Sequence, residues 1–120
     1  MKTLLILPFV IISFACKAQK VDCVTTESSG PMGESYGPNN LAVTIKNRCT
    51  EAMYVRICIQ KHLDGKIIWF CQDFTAAPRE VAFRVCSEAP GKYKVFSRAN
   101  NDYNTKFPDP KTMSLSDTDN

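Results

Sequence analysis

Val55-Arg56-Ile57-Cys58-Ile59-Gln60-Lys61-His62-Leu63-Asp64-Gly65-Lys66-Ile67-Ile68-Trp69-Phe70-Cys71-Gln72-Asp73-Phe74 holds one turn signal between two runs of strand-forming residues. Asp64-Gly65 favours a two-residue type I′ hairpin turn, because both central positions need a positive φ. The turn fixes the register of the whole stretch. Leu63 faces Lys66, His62 faces Ile67, Gln60 faces Trp69, Ile59 faces Phe70, Cys58 faces Cys71, Arg56 faces Asp73 and Val55 faces Phe74. In this register two cysteines meet and two opposite charges meet. The apolar set Val55, Ile57, Ile59, Ile68, Phe70 and Phe74 falls on one face. A slip of one residue would destroy all three agreements, since it turns every side chain over. Counted from the turn, positions 58 and 71 are a non-hydrogen-bonded pair with Cα atoms about 4.5 Å apart, near the lower limit for a disulfide. A Cys58–Cys71 disulfide is expected. The neighbouring Arg56–Asp73 pair is worth under about 1 kcal/mol if exposed.

The period of two extends outward from the hairpin. Leu41, Val43 and Ile45 alternate with Ala42, Thr44 and Lys46. Val81, Phe83 and Val85 alternate with Ala82, Arg84 and Cys86, and Tyr93 to Arg98 forms a last strand. No segment keeps a helical period. The expected fold is all-β: a small antiparallel β-sandwich or open barrel of about five to six strands, disulfide-stapled, over residues 41–98. Residues 17–40 contain Ser29-Gly30-Pro31 and Gly37-Pro38 and read as a flexible linker. Residues 99–120 read as a polar C-terminal tail, in which Tyr103 and Phe107 are the residues able to dock on the body or add an edge strand.

The N-terminus carries a different signal. Met1-Lys2 is a short positive start, Leu4 to Phe14 is almost unbroken apolar sequence, and Lys17-Ala18-Gln19-Lys20 turns polar at once. The run falls short of the roughly 20 residues of a spanning helix and has Pro8 in its middle, so it reads as an export signal. Cys16 is placed as a lipobox cysteine, to be diacylated and to become the mature N-terminus, which makes residues 1–16 the signal peptide. The junction resembles lipoprotein signals of flavobacteria-like bacteria, with Ser13 at the −3 position where Leu is usual. The alternative is cleavage after Ala18, a signal peptide of 1–18 and a soluble secreted product. Two acyl chains suffice for stable anchoring. The expected location is the outer membrane or periplasm, with the bilayer touched only through the lipid.

Export makes disulfides the expected state of the cysteines. With Cys58 and Cys71 paired, Cys49 and Cys86 are the expected second bridge by elimination. Cys23 is then left free, paired with another chain, or paired with Cys16 if that residue stays unlipidated. A metal site is not expected, since no close Cys-x2-Cys pair occurs and His62 is the only histidine. The whole chain has a formal net charge of +3. Residues 41–98 hold ten basic and five acidic side chains, and residues 99–120 hold two and four. This does not approach the footprint of a nucleic-acid binder, so no nucleic-acid partner is expected.

Catalytic patterns are absent. There is no Gly-x-Ser-x-Gly, no phosphate-binding glycine loop and no His-Glu-x-x-His. His62 sits beside a turn, where a surface residue is the ordinary reading. The chain is therefore expected to be no enzyme and to need no cofactor. The candidate binding patch is Tyr54, Arg56, Trp69, Lys92, Lys94 and Arg98, since Trp, Tyr and Arg dominate interface hot spots. The commoner meanings of these residues are packing beside a disulfide and a charged edge that blocks strand addition.

Asn47-Arg48-Cys49, Cys58, Asp64-Gly65, Trp69-Phe70-Cys71, Pro78, Cys86 and Gly91-Lys92-Tyr93 together resemble a pattern in small uncharacterised secreted or lipoprotein β domains of Bacteroidetes-like bacteria, with four core cysteines. The resemblance covers residues 41–98, and Pro78-Arg79 stands where Pro-Gly is usual. It implies the compartment and the β fold, and no activity. The expected function is a non-catalytic exported envelope protein with a binding or structural role, acting on an envelope protein or glycan. The alternatives are a soluble secreted inhibitor or effector that inserts its stapled hairpin into a target, and a small hydrolase built on His62.

Overall fold

The computed structural model describes residues 22–120, so the export segment and Cys16 lie outside the described residues. Six strands form two three-stranded antiparallel sheets that face each other as an open sandwich. The strands are β1 (Val24–Gly30), β2 (Leu41–Asn47), β3 (Met53–Leu63), β4 (Lys66–Ala76), β5 (Val81–Cys86) and β6 (Tyr93–Ala99). One sheet runs β1-β2-β5 and the other β4-β3-β6. The all-β expectation therefore holds, with the sandwich selected over the barrel.

The hairpin register is the expected one at every position from Leu63↔Lys66 to Val55↔Phe74, and it continues to Met53↔Ala76. Asp64 and Gly65 have φ of 53° and 76°, as the type I′ turn requires. Cys58 and Cys71 are bonded, with Cα atoms 4.0 Å apart.

The core lies between the sheets. Leu41, Val43 and Ile45 of β2 meet Met53, Val55, Ile57 and Ile59 of β3, with Ala76, Cys86 and Tyr93 closing the cluster. Each fully buried aliphatic side chain here contributes roughly 1.5–3 kcal/mol. Asn47 is a buried polar residue at the end of β2. Its amide nitrogen donates to the carbonyls of Glu51, Ala76 and Ala77, and its amide oxygen accepts the N–H of Cys49. It ties the β2–β3 turn to the end of β4, and its full hydrogen bonding offsets the cost of burial.

Two expectations are corrected. First, residues 24–30 of the supposed 17–40 linker form β1, paired to β2 with a bulge between Thr26 and Ser28. It is a polar edge strand with one apolar residue, so alternation does not reveal it. Its β-branched Val24-Thr25-Thr26 does favour a strand. The Arg48 N–H donates to the Cys23 carbonyl, and the Arg48 guanidinium grips Glu27 and Thr25.

Second, the second disulfide is Cys23–Cys49, and Cys86 is a buried free thiol, so the Cys49–Cys86 bridge does not exist. Cys86 pairs with Leu41 at one end of β2, while Cys49 follows Asn47 at the other. A seven-residue strand holds its ends about 20 Å apart, far beyond the roughly 7 Å limit for a disulfide.

The apolar alternate of β5 faces outward. Ala82, Arg84 and Cys86 share the inner face with Ile45, Val43 and Leu41. Val81 is left 57% exposed, and Phe83 packs edge-on against Tyr36. The Arg84 guanidinium lies 4.0 Å above the Phe74 ring, a cation–π contact across the open side of the sandwich.

Serine at both Cys23 and Cys49 is expected to lower the unfolding free energy by about 3 kcal/mol, the loop-closure magnitude for their 26-residue separation. Urea denaturation measures it. Alkylation without reduction is expected to label Cys86 only after denaturant is added; label on Cys49 would contradict the pairing.

Candidate functional site

Position 54 of β3 opposes position 98 of β6, 56 opposes 96, and 58 opposes 94. The same positions oppose 75, 73 and 71 of β4. Tyr54, Arg56, Trp69, Lys94 and Arg98 therefore gather on the outer face of the β4-β3-β6 sheet. Lys92 stands exposed one position before β6. The face is not bare. Trp69 is 7% exposed and Gln60 4%, and Cys58 beneath them is fully buried. Strand β3 is buried on both sides, by the opposing sheet inside and by residues 107–120 outside.

The chain beyond β6 is thus a strap, and the expectation of a solvated tail is corrected. Phe107 stacks on Tyr54 with parallel rings 5.7 Å apart, and packs at the same distance on Phe96. This is the docking foreseen for Phe107; Tyr103 stays 73% exposed and the tail adds no strand. A single 3-10 turn, Pro110–Thr112, is capped by the Asp109 carboxylate. The Arg56 guanidinium donates to the Pro108 carbonyl, the Trp69 indole N–H to the Ser114 carbonyl, and the Gln60 amide to the Leu115 carbonyl at 2.6 Å. Lys94 pairs with Asp117 at 3.2 Å and Asp119 at 3.3 Å. On the free edge of β6 the Asp119 N–H donates to the Tyr93 carbonyl, and the Asp119 carboxylate accepts the Val95 N–H.

Electrostatics reinforce this arrangement. Arg56 meets Asp73 in a two-pronged ion pair at 2.6 and 2.9 Å, and the Tyr54 hydroxyl donates to the same carboxylate. The Arg56 hydrogen bond holds the Asp73 carboxyl below its ordinary range against partial burial, helped by the Tyr54 hydrogen bond. The bond to Asp73 in turn raises the Tyr54 phenol. Burial works to lower the Lys94 ammonium, but the hydrogen bonds to Asp117 and Asp119 outweigh it and the net shift is upward. Arg98 lies over the Tyr54 ring at 4.5 Å and donates to the carbonyls of Ala99 and Asp102, bending the chain into the strap.

The strap leaves a gap. Between it and β4 lies a cleft of about 630 Å³, walled by Ile67, Ile68, Trp69, Pro110, Met113 and Leu115, with Asp109 and Lys111 at its rim. A hollow of about 690 Å³ in the Pro31–Asn40 loop is lined by glycine, proline and asparagine with one charged residue, Glu34. His62 is exposed beside the hairpin turn; its backbone N–H donates to Glu88, and its ring makes no hydrogen bond among the described residues. Among the described residues no cluster of three metal-ligating side chains occurs, and no helix is long and apolar enough to cross a membrane.

Sequence reasoning placed Gln60 opposite Trp69 without a role, and missed Phe96, Asp117, Asp119 and the cleft-lining Met113 and Leu115. For Asp117 and Asp119 the available signal was charge, a basic body followed by an acidic tail. No family model, no curated protein and no solved structure matches this chain.

A carboxyl held below its ordinary value stabilises the fold above its unfolded pKa, near 4, and that contribution is lost as pH falls through the folded value. Asp73→Asn is therefore expected to be less stable than wild type at pH 7. The gap is expected to close as pH falls below about 4, read from urea midpoints across the acid range. A pH-independent gap would contradict the assigned ion pair.

Proposed function

We propose that the protein is an exported, lipid-tethered binding domain of a bacterial envelope, and that the outer face of the β4-β3-β6 sheet is its working face. One observation carries this reading. An apolar cleft opens beside the only tryptophan, on a face rich in tyrosine, phenylalanine and arginine. Pockets with apolar walls and a few polar groups at the rim are the usual form of binding sites.

Orientation supports it. The chain enters the domain at Cys23, bonded to Cys49, four residues before β3 begins. An eleven-residue strand then carries the hairpin turn about 33 Å from that end. A tether from Cys16 to Cys23 reaches at most about 25 Å, so the domain would sit close to the membrane with its cleft and hairpin turned away. Two disulfides suit an oxidising compartment. The resemblance to small secreted or lipoprotein domains points the same way. An envelope protein is the preferred partner over a glycan, because the cleft walls are aliphatic and thioether groups suited to an apolar side chain.

A second reading, a soluble secreted inhibitor or effector, is favoured by the hairpin itself. Its strands run on beyond Ile59, where β6 stops pairing, and carry Leu63 and Ile67 to an exposed tip. The hydrolase alternative rests on His62 and gains no support from its exposed ring.

Intact mass of the mature protein separates the readings. A diacylglycerol increment on Cys16 is the expected result. A mass beginning at Gln19 would favour the secreted inhibitor, and retention of residues 1–15 would refute export. A photo-crosslinking residue at Ile67 is expected to capture an envelope protein in cells, and Trp69→Ala to lose that capture.

A further inference from the structure

We propose that the outer face of the β4-β3-β6 sheet is a receptor for an acidic, aromatic-bearing segment of a partner protein, and that residues 107–120 occupy it in cis as a built-in competitor. The inference rests on that face being the working face and adds the chemistry of its partner.

The way the face grips the strap states what it recognises. Arg56, Trp69 and Gln60 take three main-chain carbonyls, at Pro108, Ser114 and Leu115. Those contacts hold any chain that follows the strap's path, with its turn at Pro110–Thr112, whatever its side chains. Tyr54 and Phe96 take an aromatic ring between them, with Arg56 and Arg98 within cation–π range of it. Lys94 and the free N–H of Val95 take carboxylates. The complementary segment is an aromatic residue followed at some distance by two acids. It is not an anionic membrane, which offers no ring to Tyr54; a nucleic acid could stack a base there, but it offers no main-chain carbonyls in the positions taken by Arg56, Trp69 and Gln60.

The strap is an incomplete occupant, which is why it can be replaced. It joins the sheet mostly through side chains, with one backbone bond from Asp119 to Tyr93 and no strand ladder. Leu115 is 47% exposed, and the cleft beside Trp69 stays open. A partner segment with a bulky apolar residue near the place of Met113 would fill that cleft, and each buried CH₂ would gain about 0.8 kcal/mol. The strap's advantage is its tether, which gives an effective concentration on the order of millimolar. A partner thus binds wherever its contacts outweigh that tether.

The test uses the full mature chain and a fluorescent synthetic peptide copying residues 102–120. In the variant Phe107→Ala, Asp117→Asn, Asp119→Asn the strap loses its ring and its acids. The peptide is expected to bind this variant at least tenfold more tightly than wild type. Adding Arg56→Ala and Lys94→Ala is expected to abolish the gain. Protection of Cys86 from alkylation verifies the fold of each variant. If the triple variant does not fold, the single variant Asp119→Asn is expected to show about a threefold gain. Equal binding to wild type and variant overturns the proposal, as does equal binding of a scrambled peptide of the same composition. Binding to phosphatidylglycerol vesicles without peptide binding also overturns it. Capture of a partner at Ile67 with no peptide binding would overturn this proposal while leaving the working face intact.

Discussion

The two-residue turn at Asp64 and Gly65 locks β3 to β4, and the larger sheet is laid out from that register. It places Val55, Ile57 and Ile59 toward the opposing sheet. It sets Arg56 against Asp73 and Cys58 against Cys71. The disulfide then keeps β3 and β4 together even where the hairpin projects past β6. Because side chains alternate across a strand, the same register decides what the outer face contains. The order is Tyr54, Arg56, Cys58, Gln60 on β3, beside Trp69, Cys71 and Asp73 on β4. A one-residue slip would put these polar and aromatic groups into the core.

The outer face creates a need that the strap answers. Trp69 and Gln60 each carry a polar N–H and are nearly fully buried, and buried polar groups must find partners. Carbonyls of the strap satisfy both. The strap also shields the free edge of β6, where unpaired Tyr93 and Val95 would otherwise invite another strand; Asp119 closes that edge with its backbone and its carboxylate. The charge difference between body and tail thus has a structural meaning, since the acids of 117 and 119 fold back onto Lys94.

Local physics was legible in the sequence and distant pairing was not. The hairpin could be read to the residue because a type I′ turn sets its own register. β2 and β3 announced themselves by alternation, and β4 followed from the turn. β5 also alternates, but nothing local says which face turns inward; its pairing with β2 across a long connection decides that, and sends Val81 and Phe83 outward. β1 escaped notice because an edge strand needs little apolar content. That omission propagated to the cysteines: without β1, Cys23 had no position, and Cys86 was assigned to Cys49 by elimination. Within the candidate site, Tyr54, Arg56, Trp69, Lys94 and Arg98 were found by residue type. Their covering was not, because it is made by main-chain carbonyls, which carry no signature in side-chain pattern.

The measurement that bears most directly on this account is acrylamide quenching of Trp69, the single tryptophan of the chain. With the strap seated, the native protein should be quenched several-fold less efficiently than the denatured chain. In Arg56→Ala/Lys94→Ala, which removes the anchors on Pro108 and the two acids, quenching should rise toward the denatured value while Cys86 stays protected from alkylation. Free quenching in the native wild type, or a double variant as shielded as wild type, would contradict a face held closed by its own strap.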